Sequence, residues 1–183
     1  LKKWGLAMQD DIEDGTKWLI KKGYSDSGNI CILGASYGGY AALMGLVKTP
    51  DLYQCAISFA GVMDQDLLIR NNLKYSNSEI IKEQIGSNAS DLKARSPLYN
   101  VNKITKPVLL IHGDQDRRVQ VLHSRNMQDE MENQGKNSTY IELKNGSHYL
   151  NINENRLATF EAIEAFLGSH LKPINTQGMT LSE

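Results

Sequence analysis

The stretch Ile30-Cys31-Ile32-Leu33-Gly34-Ala35-Ser36-Tyr37-Gly38-Gly39-Tyr40 decides the fold. Its first four residues are a short continuous apolar run closed by a glycine. That pattern suits a strand buried on both faces. From Tyr37 to about Val47 the spacing predicts a helix. Between strand and helix lies Gly34-Ala35-Ser36-Tyr37-Gly38, a G-x-S-x-G elbow. Such a turn strains the serine backbone so that its hydroxyl points out of the sheet. Side chains at the two glycine positions would collide with the neighbouring helix and strand. The first N–H after the serine, that of Tyr37, then faces an oxyanion at a helix start.

Outward from the elbow, helical and strand signals alternate. Residues 6–22 read as a helix in which Ile12, Trp18 and Leu19 share a face, with acids early and Lys21-Lys22-Gly23 at its close. Strands are expected at 55–60, 108–111 and 139–143. Residues 64–105 are polar and helical in pieces, with Pro97 marking one start. A helix over 120–134 turns Val121, Ser124, Met127 and Met131 inward and stops at Gly135. The last helix, 154–171, carries Leu157, Phe160, Ile163, Phe166 and Leu167. Beyond Pro173 the tail is polar and loose. Alternation of this kind implies an α/β fold: about four parallel strands between flanking helices, a three-layer αβα sandwich. In such sheets function gathers at the carboxyl ends of the strands.

Three residues follow strand ends and belong together chemically. A serine hydroxyl is a weak nucleophile without a base, and the base needs an orienting acid. Asp116 sits in His112-Gly113-Asp114-Gln115-Asp116 after the third strand, and His148 in Gly146-Ser147-His148 after the fourth. Ser36, Asp116 and His148 thus follow the chain order of α/β-hydrolases. Asp114 and Asp64 compete for the acid's place. His112 reads as a loop-ordering residue, and His123 and His170 as surface residues on helices. Cys31 and Cys55 lie inside apolar strands, which favours buried free thiols over a disulfide or metal site.

Composition excludes several other classes. Of 183 residues, 40% are hydrophobic and 22% charged, and the net charge of -1 offers no field for nucleic acid or an anionic membrane. No compact cluster has metal-ligand spacing, and no G-x-G-x-x-G follows the first strand. No metal and no cofactor are expected.

The segment from Gly34 to Ala42 resembles the nucleophile region of prolyl-oligopeptidase-type serine peptidases, closest to the acylaminoacyl-peptidase and dipeptidyl-peptidase branches. Ser96-Pro97-Leu98, the run from Pro107 to Asp116 with Arg118-Val119, Gly146-Ser147-His148 and Asp10-Asp11-Ile12-Glu13-Asp14-Gly15 extend the match to about Leu171. The resemblance implies that Asp116 is the acid and that Arg118 binds a substrate main-chain carbonyl. It also implies that Tyr37, Val62 and Val119 line the pocket for the side chain before the cut. Gln120 stands where many relatives have proline. A peptidase acting on short or N-blocked peptides through an acyl-enzyme is the activity implied; a carboxylesterase uses the same groups.

Relatives of this type carry an upstream β-propeller and the first strands of the hydrolase sheet, including a loop that donates a second oxyanion hydrogen bond. Residues 1–172 correspond to the C-terminal half of that fold, with 173–183 as a tail. The expectation is that this segment alone is weak or inert. An apolar unpaired edge at 30–33 would invite self-association or pairing with the upstream part of the same parent chain.

Overall fold

A computed structural model describes residues 1–73 and 78–173. The elements run α1 (Ala7–Lys21), β1 (Cys31–Ala35), α2 (Tyr37–Lys48), β2 (Cys55–Phe59), α3 (Gln65–Asn72), α4 (Ser78–Ile85) and α5 (Ala89–Ala94). A 3-10 segment (Pro97–Lys103), β3 (Val108–Gly113), α6 (Leu122–Asn133), β4 (Ser138–Leu143) and α7 (Asn153–His170) complete it. Every strand foreseen is present, within two residues at its ends. The polar stretch 64–105 resolves into short helices, one opening at Pro97. The predicted loose tail from residue 174 lies outside the described residues.

The four strands form one parallel sheet in the order β1-β2-β3-β4. Alternate side chains of each strand reach opposite faces. Ala56, Val108 and Leu110 join Leu43 and Leu46 of α2 and Met127 and Met131 of α6 in one core. Ile57, Leu109 and Ile111 turn the other way, onto Phe166 of α7. The middle strands therefore read as unbroken apolar runs, because both of their faces are covered.

Helix faces were less legible than strands. On α7 the inward positions are Thr159, Ile163 and Phe166, spaced three to four apart, with small Ala158 and Ala162 beside them. Leu157 and Phe160 fall on the opposite side and are 60% and 58% exposed. Ile12 of α1 packs inward, whereas Trp18 and Leu19 face outward, Trp18 leaning on Tyr24. β1 is an edge strand, and its Leu33 is 52% exposed.

The expectation of free thiols is corrected. Cys31 and Cys55 are register partners on the parallel strands β1 and β2, with Cα atoms 4.7 Å apart, and they form a disulfide. Two apolar strand cysteines become a pair when the register sets them side by side, a relation that spacing along the chain does not reveal. The bridge staples the edge strand that leads into the elbow. It closes a separation of 24 residues, for which chain entropy gives a stabilisation of about 3 kcal/mol. The unreduced chain should therefore titrate no free thiol, and its urea midpoint should fall on reduction; an unchanged midpoint would remove the bridge from the account.

Candidate active site

The elbow is built by close backbone approach. A Cβ on Gly34 would lie 2.3 Å from the backbone of Gly38, so no side chain fits there. The second glycine differs from expectation: a Cβ on Gly38 would meet nothing, and the crowded position is Gly39, against Ser58 and Gly61. Between them Ser36 takes φ 56° and ψ -118°, a left-handed backbone that L residues avoid unless their surroundings enforce it. Its N–H donates to Phe59 O at 2.9 Å, tying the tip of the turn to the end of β2. Tyr37 is the first residue of α2, so its N–H has no acceptor within the helix.

The loops after β3 and β4 meet backbone to backbone. A Cβ on Gly113 would lie 2.3 Å from Gly146 O, and one on Gly146 would lie 2.9 Å from Gly113 Cα. Asp114 N donates to Leu143 O and Gln115 N to Gly146 O, which zips the two loops together. This contact brings residue 116 to residue 148.

Asp116 Oδ2 accepts from His148 Nδ1 at 2.7 Å. Its Oδ1 accepts from the backbone N–H groups of Arg118 and Val119 at 2.8 and 3.0 Å. Burial pushes this carboxyl up, but hydrogen bonds from His112, His148 and those two N–H groups outweigh it. They hold Asp116 well below the usual carboxylate range. A carboxylate can only accept, so Nδ1 of His148 carries the hydrogen, and Nε2 of the neutral ring keeps its lone pair.

Ser36 and His148 line one open cleft of about 440 Å³, together with Tyr37, Val62, Arg118 and Val119. Asp116 does not line this cleft and reaches it through His148. Among the described residues no hydrogen bond joins Ser36 to His148. Of the competing acids, Asp64 caps α3 through the N–H groups of Asp66 and Leu67 and accepts from Tyr99. Asp114 Oδ1 is buried without a hydrogen-bond partner, His148 included.

Sequence reading missed part of the cleft. Trp4 packs edge-on against Tyr37 at 4.6 Å, and Leu68, Ile81 and Ile85 add an apolar wall from α3 and α4. Ile81 and Ile85, four apart, lie on one of the helical pieces expected in the polar stretch 64–105. Tyr149 stands edge-on to His148 at 5.5 Å on the cleft rim. Among the described residues there is no group of His, Cys, Asp and Glu able to hold a metal ion.

The profile of the prolyl oligopeptidase family matches residues 1–173. The chain belongs to the prolyl oligopeptidase family. Among curated members, dipeptidyl aminopeptidase BIII of Pseudoxanthomonas mexicana is 31% identical over 94% of this chain and 27% of its own length. Dipeptidyl peptidase family member 6 of Caenorhabditis elegans is 29% identical over 90% of this chain and 23% of its own. A solved acylaminoacyl peptidase from Pyrococcus horikoshii superposes with a TM-score of 0.83 at 26% identity, over 98% of this chain and 30% of that one. The chain spans about a quarter of the length of these two curated relatives. The four-stranded sheet with its helices is that part of the α/β-hydrolase peptidase fold which carries the elbow and the two loops just described.

His123 corrects another expectation. It is 1% exposed, not on the surface, and its Nδ1 accepts from the N–H groups of Met63 and Asp64 at 3.3 Å each. Two donors aimed at Nδ1 leave no room for a proton there. Burial, with repulsion from His112, pushes His123 down to about 4. Between that value and the ordinary 6.5 the unfolded chain binds the extra proton, so stability is full above pH 6.5 and is lost as pH falls towards 4. The loss amounts to about 3 kcal/mol over that window. In His123→Asn an amide oxygen replaces Nδ1 and does not titrate. Urea unfolding at about pH 7 and 4.5 should show this variant losing about 2 kcal/mol less than wild type; equal losses would contradict the assignment.

Proposed function

We propose that this chain is the catalytic part of a serine peptidase in which Ser36 attacks, His148 is the base and Asp116 orients it. The observation that carries the reading is the convergence of three loops. An elbow serine with φ 56° opens into the cleft lined by an imidazole whose Nδ1 is already bound to a buried carboxylate.

In this mechanism Ser36 Oγ adds to the substrate carbonyl carbon as its proton passes to His148 Nε2. The oxyanion accepts from Tyr37 N–H. Collapse breaks the C–N bond, the amine leaves with the proton from His148, and the acyl group stays on Ser36. Water, deprotonated by the same nitrogen, then releases the acid. The gap between Ser36 and His148 in the free protein is compatible with this, since catalytic hydrogen bonds often tighten only around substrate.

The apolar wall formed by Tyr37, Val62 and Val119 suits an apolar side chain before the cut, and Arg118 on the rim suits a main-chain carbonyl. Relatives named as dipeptidyl aminopeptidase and acylaminoacyl peptidase point to short or N-blocked peptides. With Tyr37 as the oxyanion donor of this segment, absence of a second would slow turnover by about 10²–10³.

The chain should hydrolyse activated N-blocked amino-acid esters, and more slowly the matching peptide amides. His148→Gln removes the base. Asp116→Asn turns an amide N–H₂ towards Nδ1 and forces the wrong tautomer. Each should lower the ester rate by at least ~10²-fold. Rates equal to wild type in both variants would overturn the assignment, and hydrolysis of esters with none of amides would favour a carboxylesterase.

A further inference from the structure

The Asp116 carboxylate touches a second imidazole besides that of His148. His112 Nε2 lies 2.8 Å from Val119 O and 3.3 Å from Asp116 Oδ2. A carbonyl oxygen only accepts, so Nε2 must carry the hydrogen; it is bound by Val119 O, with Asp116 Oδ2 beside it at 3.3 Å. The other ring nitrogen, Nδ1, lies 2.8 Å from Ser124 Oγ and accepts from its hydroxyl when the ring is neutral. Both side chains are fully buried, so no water can replace either contact. The tautomer of His112 is therefore fixed by its neighbours.

These contacts join separate elements. His112 belongs to β3, at the centre of the molecule, and Ser124 to the first turn of α6. Asp116 and Val119 belong to the loop between them. The Arg118 and Val119 N–H groups hold Oδ1 from within that loop, whereas His112, 3.3 Å from Oδ2, stands on the sheet itself. A short loop with five polar residues in the run 114–118 has little apolar surface of its own to keep it in place.

We infer that His112 is a positioning residue: it ties the Asp116 carboxylate to β3 and α6, so that Oδ2 stays aimed at His148 Nδ1. The inference rests on the reading of Asp116 as the orienting acid. His112 touches neither substrate nor the reacting atoms and acts only through Asp116. The depressed Asp116 carboxyl, whose largest opposing effect is burial, has His112 first among the hydrogen bonds that overcome it.

Nuclear magnetic resonance tests this without turnover. In the 183-residue chain with ¹⁵N-labelled histidines, the four rings can be assigned by substitution. A His148 Nδ1–H bound to a buried carboxylate gives a low-field, slowly exchanging proton signal, and His112 should be protonated at Nε2 and not at Nδ1. His112→Leu should abolish the His148 signal or speed its exchange at least about tenfold, while His112→Gln, whose amide N–H₂ can occupy the place of Nε2, should restore it. Circular dichroism checks that each variant is folded. If His112→Leu does not fold, Ser124→Ala decides, because loss of one hydroxyl frees the ring and should quicken exchange several-fold.

A His148 signal within about twofold of wild type in His112→Leu, or in Ser124→Ala where the leucine variant is unfolded, overturns the inference and leaves the functional reading standing. Protonation of His112 at Nδ1 overturns it equally. A wild-type chain with no such signal, or one in which Asp116→Asn leaves it intact, overturns both.

Discussion

The site depends on one buried carboxylate. Asp116 is almost fully enclosed, and an ionised group so placed is tolerated only when its lone pairs are filled. Oδ1 takes two backbone N–H groups of its own loop, and Oδ2 takes His148 with His112 nearby. The loop from Gly113 to Val119 is thereby folded around its own side chain. The backbone contact between Gly113 and Gly146 sets the distance to the next loop. Neither device works alone: without the glycines the loops stand apart, and without the hydrogen bonds the carboxylate would be expelled towards water or protonated.

The parallel sheet was legible because its middle strands are buried on both faces. Val108-Leu109-Leu110-Ile111 and Cys55-Ala56-Ile57 are unbroken apolar runs for that reason, and Gly34 marks a place where the end of β1 and the start of α2 nearly touch. Legibility failed where a property depends on what lies across the fold. Leu157 and Phe160 look like core residues and point outward, because small Ala158 and Ala162 let the opposite side of α7 approach the sheet. His123 looks like a helix-surface residue, yet the β2–α3 connection lies over it and uses its Nδ1 as an acceptor. Cys31 and Cys55 form a bridge because register places them side by side. Trp4, before the first helix, lines the cleft while packing on Tyr37 and Tyr40.

The residues proposed for catalysis were the most legible of all, because each occupies a strand-end loop with a specific chemical need. A nucleophile needs a strained elbow, and an acid needs donors within its own loop. What the sequence could not supply was the back of the site. His112 reads as a loop-ordering residue, and in the structure its ring lies beside the carboxylate, held by Ser124 and Val119. The proposed peptidase is thus organised from β3 outward, with the sheet holding His112, His112 touching Asp116, and Asp116 aiming His148 into the cleft that Ser36 shares.

The most direct measurement of the central claim is reaction of the purified chain with a fluorophosphonate probe, followed by intact mass, beside a Ser36→Ala control. A hydroxyl activated by the Asp116–His148 pair predicts one phosphonyl adduct on the wild type and none on the control. A folded wild-type chain that stays unlabelled, or a control labelled equally, would contradict the account.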